Sequence, residues 1–103
     1  MISYIISPQD RRPKDEAMAD EKRIRELYEK ALRKPASLKF RELWTLAEGV
    51  GFRLDRIRGS HHAFVHDNLK DHPLILQPKK KGEAKPYQAR QLLALIKQYN
   101  LLP

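Results

Sequence analysis

The segment Arg58-Gly59-Ser60-His61-His62-Ala63-Phe64-Val65-His66 holds three of the chain's four histidines. An imidazole can ligate a metal, move a proton, or simply fill a place in a strand. Successive strand side chains point to opposite faces, so His62, Phe64 and His66 share one face and His61, Ala63 and Val65 the other. Phe64 is the large apolar group, and its face is expected to meet the core. His61 is then on the open face, beside a tight turn. A shared metal site fits poorly. His62 and His66 stand about 13 Å apart at roughly 3.3 Å per residue, whereas zinc holds each ligating nitrogen at about 2 Å. The chain has no cysteine, and Asp55, Asp67 and Asp71 show no ligand spacing, so neither a metal nor another cofactor is expected. His62 and His66 are expected to be partly buried or to bond backbone groups at the sheet margin, and His72 to sit in a loop. His61 differs in being exposed beside the turn, where it can accept a proton. An unperturbed imidazole has a pKa of about 6.5, so at neutral pH much of it is unprotonated. Arg56, Arg58 and the lysine run could hold a phosphate near it. That set suits metal-free RNA cleavage, in which the imidazole takes the proton of a ribose 2′-OH and cations stabilise the charge on the attacked phosphate.

These groups need a scaffold, and the hydrophobic period supplies one. Residues 1–19 are polar and are expected to form a loose tail. Ile24, Leu27, Tyr28, Ala31 and Leu32 recur at helical spacing and predict an amphipathic helix over Ala19–Lys34, capped by Asp20 and stopped by Pro35. Phe40, Leu43, Trp44, Leu46, Ala47 and Val50 predict a second helix, with Gly51 just past its end. The period then changes to two. Phe52 to about Ile57 and His61–His66 form a hairpin about Arg58-Gly59-Ser60. Leu74–Leu76 is a short third strand, ended by Pro78. Pro86 opens a last helix with Ala89, Leu92, Leu93, Ile96 and Tyr99 on its buried stripe. Helices over one face of a small antiparallel sheet make an α+β sandwich whose other face is open. The expected division is a tail (1–19), a helical extension (20–35) and one domain (36–103).

The chain has 103 residues, 21 Lys or Arg and 13 Asp or Glu, for a net charge of +8. From Pro35 onward there are 12 basic residues against 6 acidic ones. Such an excess suits a polyanionic partner, nucleic acid before a membrane. Lys79, Lys80, Lys81 and Lys85, just before the last helix, read as a phosphate clamp that adds affinity without reading sequence. No apolar run approaches the length of a membrane span or a signal peptide, and a soluble, cytoplasmic protein is expected.

A helix, then GFRLDRIRGSHHAFVH, a short strand, and a KPYQARQLLALIKQYNL helix together resemble the HicA toxin family, over about Phe40 to Leu102. The resemblance implies a fold like the double-stranded-RNA-binding domain and an mRNA-cleaving toxin partnered by a HicB antitoxin. It implies one essential histidine in the Gly-Ser-His motif, which maps to His61, with His62 as the reserve candidate. Ser60 in that motif joins Arg56, Arg58, Lys79, Lys80, Lys81 and Lys85 as an RNA-binding residue. The helix over Ala19–Lys34 is an extension beyond the shortest members. Many members carry Pro-x-His after the third strand, but here the segment is Gln77-Pro78-Lys79-Lys80. The general acid is therefore open, with Lys79, Lys80 or solvent able to serve. Two other readings stand beside this one: a module that grips structured RNA without chemistry, and an interaction domain whose charge suits an acidic protein.

Overall fold

The computed structural model describes the backbone from residue 14 to residue 103 and side chains from residue 20. Three helices and one three-stranded sheet follow in the order α1 (Lys14–Arg33), α2 (Phe40–Gly49), β1 (Phe52–Arg58), β2 (His61–His66), β3 (Leu74–Leu76) and α3 (Pro86–Tyr99). The sheet is antiparallel in the order β1-β2-β3. The protein is an α+β sandwich. From Phe40 onward its α-β-β-β-α order is that of a double-stranded-RNA-binding fold, with α1 added in front.

The helix α1 begins at Lys14, earlier than its apolar stripe requires. The Ala, Glu, Met and Lys of its first turns are strong helix formers, and propensity carries the helix past the packed part. Asp20, expected to cap its start, lies inside it. Residues 14–19 of the expected tail are therefore helical, and residues 1–13 lie outside the described residues. Ile24, Leu27 and Ala31 enter the same core as α2, α3 and the sheet, whereas Leu32 is exposed. The extension is thus part of the domain's core.

Gly49 makes the α1–α2 approach possible. A Cβ built there would lie 2.2 Å from Cδ1 of Ile24. Gly49→Ala is expected to cost about 1–3 kcal/mol through overpacking, read as a lower denaturant midpoint. A second tie is Lys30 Nζ to both carboxylate oxygens of Glu42, each at 3.0 Å. Glu42 also accepts from the backbone N–H of Lys39, capping α2. Burial alone would raise the Glu42 carboxyl, but the Lys39 N–H, Lys30 and Arg23 outweigh it and hold its pKa below the usual carboxylate range. A depressed carboxylate contributes stability above its unfolded-state pKa, and that contribution is lost as pH falls through the lower folded-state value. Glu42→Gln is therefore expected to lower the melting temperature at neutral pH. The gap to the wild type should close in acid, below the ordinary glutamate range.

The core holds Phe52, Phe64, Leu74, Leu76, Leu43, Leu46, Leu92 and Ile96, all essentially inaccessible. Gln88 and Leu95 are also buried, a wider face for α3 than its apolar stripe predicts. The helices cover the Phe64 side of the sheet. The opposite side carries no helix among the described residues.

Candidate active site at the hairpin tip

The hairpin turn is only two residues long, since Arg58 pairs with His61. Gly59, at φ 58, supplies the left-handed backbone this turn needs. His61 is the first residue of β2 and is exposed. Its cross-strand neighbour, Arg58, lies on the same face.

Plain alternation from Phe52 and Leu54 would put Arg56 and Arg58 on the helix side of β1, away from His61. A β-bulge prevents this. Leu54 pairs with Phe64 and Arg56 with Ala63, which leaves Asp55 as the extra residue. The bulge brings Arg56, Arg58 and His61 to one face. With Asp55, Ala63, Val65, Pro73 and Ile75 they line a shallow depression of about 360 Å³. Asp55 pairs with Arg56 at 3.4 Å in an exposed contact, which is worth little energetically. Arg58 has no acidic partner among the described residues.

His62 and His66 occupy the other face. The His62 ring is half-buried, 5.0 Å from the Phe40 ring and 5.3 Å from Trp44. Its Nδ1 lies 2.9 Å from the Ser60 carbonyl oxygen and so donates to it. His66 is buried and bonds backbone at both ring nitrogens. His72, in the loop after β2, sits 2.9 Å from the Tyr99 hydroxyl of α3. Among the described residues no three His, Asp or Glu side chains gather at metal-binding distance.

The lysine run divides. Lys85 Nζ donates to Gln77 Oε1 at 2.8 Å, and Gln77 Nε2 donates to Ser60 Oγ at 2.9 Å. An ammonium can only donate, so Lys85 fixes the orientation of the Gln77 amide. The Ser60 oxygen is thereby occupied as an acceptor, and its O–H is left to donate outward. The Gln77 backbone N–H is held in turn by the buried Gln88 side chain, at 2.9 Å. Lys79 and Lys80 are exposed, and Lys81 faces a separate depression near α2.

Nothing local in the sequence places Gln77 at the hairpin tip. The usable signal is register: His62 pairs with Leu76, so one further step sets Gln77 beside His61. Gln77→Ala is expected to leave the melting temperature within a few degrees while weakening oligonucleotide binding several-fold, because Ser60 loses its tether. Lys85→Met should reproduce the defect, and Gln77→Glu should partly restore the Lys85 contact. An unchanged affinity in both truncated variants would show the tether to be idle.

A family model described as the HicA toxin of bacterial toxin–antitoxin systems matches residues 40–101. The chain belongs to the HicA toxin family. The matched stretch runs from the first residue of α2 to just past α3, and so contains the hairpin tip and its tether. In this HicA-family chain α1 lies outside the match but inside the core. No curated protein and no solved structure matches the chain. No helix among the described residues is long and apolar enough to cross a membrane.

Proposed function

We propose that this HicA-family toxin is a metal-independent endoribonuclease acting on mRNA, with His61 as general base. The observation that carries the reading is the exposed His61 imidazole on the uncovered sheet face, paired across the hairpin with Arg58 and joined by Arg56 through the bulge. A neutral His61 takes the proton from a ribose 2′-OH. The 2′-oxygen attacks the adjacent phosphorus, and the bond to the 5′-oxygen breaks. The leaving 5′-oxygen takes a proton from solvent or from a lysine of the 79–81 loop. The products are a 2′,3′-cyclic phosphate and a free 5′-OH. Arg56 and Arg58 stabilise the charge that grows on the phosphorane, and the Ser60 hydroxyl donates to a phosphate oxygen. A HicB-like antitoxin is the proposed partner, seated over this open face so that RNA cannot reach His61.

The test is cleavage of a single-stranded RNA by the purified chain in excess EDTA, with the ends of the products identified. Cyclic phosphate and 5′-OH ends, formed at an undiminished rate, are expected. Products ending in 5′-phosphate, or a rate abolished by the chelator, would remove this mechanism. Gln77-Pro78-Lys79-Lys80, with no histidine after the third strand, favours one alternative: an RNA-binding module that cuts poorly or not at all. Steeply salt-dependent RNA binding without cleavage by the wild type would support it.

A further inference from the structure

The larger depression lies on the other side of the hairpin tip. It measures about 890 Å³, within the range of clefts that hold small ligands, and Phe40, Trp44, Arg23, Lys39, Arg41 and Lys81 line it. Phe40 and Trp44 are half-buried and meet edge to face at 6.0 Å, with Trp44 resting its other side on Phe64 at 5.3 Å. Four cations stand around these two rings. Glu42, also in the lining, has its charge taken up by Lys30 and the Lys39 N–H. A cationic rim over half-buried aromatic rings matches a ligand that is both anionic and flat. Successive nucleotides of a single strand are such a ligand: each base stacks on an aromatic face while its phosphate meets a cation.

Backbone conformation adds an independent sign. Lys81 is held at φ 63, in the left-handed region that a lysine rarely adopts, and Gly82 follows at φ 71. Glycine would relieve that strain at position 81, yet the chain carries lysine there. Strained backbone of this kind marks positions kept for function. The turn sets Lys81 in the lining of the groove, which Arg23 of α1 also joins.

We propose that this groove is a nucleotide subsite: it stacks one or more bases of a single-stranded RNA on Trp44 and Phe40, and holds the phosphates with Arg23, Arg41 and Lys81. The inference rests on the endoribonuclease reading for its place in the reaction. The His62 ring touches Phe40 and Trp44 while its neighbour His61 faces the other side of β2, so the subsite and the proposed scission site lie on opposite faces of the same strand. Arg23 lies outside the family match, so the extension helix contributes directly to the gripping of RNA.

Trp44 is the only tryptophan in the chain and lines the groove, so its fluorescence senses an occupant there. The probe is a mixed-sequence 2′-deoxy 10-mer, which lacks the hydroxyl needed for cleavage. In the wild type, saturable quenching is expected, with affinity falling steeply in salt. In Arg23→Ala/Arg41→Ala/Lys81→Gly the affinity should fall at least about tenfold, and the slope of log K against log salt should be shallower by about two. Lys81→Gly alone should keep or raise the melting temperature while weakening binding, a pairing that a damaged fold would not give. Full affinity and full salt slope in the triple variant, or a Trp44 signal evoked by polyglutamate and not by the 10-mer, would overturn the proposal. RNA cleavage assayed on the same proteins separates the two readings. Cleavage with a silent Trp44 and a triple variant of unchanged KM sinks the groove alone. A quenched Trp44 without cleavage leaves the groove and sinks the nuclease.

Discussion

Replacing His61 by alanine should reduce RNA cleavage by about 10²–10⁴-fold, the usual worth of a positioned general base. RNA affinity should stay within a few-fold of the wild type. The two effects separate because different groups supply them. His61 is exposed at the start of β2, so truncation removes little packing and leaves the melting temperature almost unchanged. In the proposed mechanism affinity comes from cations against phosphates, and Arg56, Arg58 and the lysines remain. Arg58→Ala should behave differently: it removes a phosphate contact together with stabilisation of the phosphorane, so binding and cleavage both weaken and the salt slope becomes shallower. His62→Ala gives a third pattern. Its ring fills space against Phe40 and Trp44 and its Nδ1 holds the Ser60 carbonyl, so its loss loosens the tip and lowers the melting temperature together with the rate. Cleavage by His61→Ala at the wild-type rate, with His62→Ala inactive but fully folded, would move the base to His62.

Much of this layout was readable before any coordinates, and the reasons differ from element to element. β2 and β3 have the bounds the sequence predicts, because the Gly59-Ser60 turn precedes His61 and Pro78 follows closely on Leu76. The exposure of His61 followed from parity with Phe64 and needed no knowledge of the partner strand. The arginines were harder. Asp55 reads in the sequence like any polar strand residue, and nothing local marks it as the bulge. The shift becomes visible only when Arg56 is seen opposite Ala63. Without it Arg56 and Arg58 would point away from His61. The lysine run illustrates a different limit. Composition shows that Lys79, Lys80, Lys81 and Lys85 are cationic, but backbone conformation decides where each one points. The left-handed turn at Lys81 and Gly82 sends Lys81 toward α2, while Lys85 enters the tether to Ser60. α1 starts before its apolar stripe because periodicity ends at the last core contact, and a helix can continue beyond it on propensity alone.

His66→Ala should be the most damaging single change at a histidine, at about 3–4 kcal/mol of folding stability, through lost packing and two stranded backbone groups. His66 closes the joint between α2 and the sheet. Its Nε2–H donates to the Val50 carbonyl oxygen at 3.1 Å, where the chain leaves α2. Its Nδ1 accepts from the Asn68 N–H at 3.1 Å, where the chain leaves β2. Both bonds are met only by a neutral ring protonated on Nε2. The ring also stands against Phe52 at 5.1 Å, edge to face. Gly51 makes room for it: a Cβ there would come within 2.6 Å of His66 Nε2, on a residue already at φ 106. Gly51→Ala is therefore expected to destabilise through the same joint. Leucine at position 66 restores volume but neither hydrogen bond, so His66→Leu should recover only the packing part of the loss. Against the total stability of about 5–15 kcal/mol typical of small domains, His66→Ala should leave a visible unfolded fraction at moderate temperature. Its residual folded population should still cleave RNA at the wild-type specific rate, because His66 lies on the covered face with no contact to His61. Loss of specific activity at unchanged stability would show that His66 belongs to the chemistry and not to the joint.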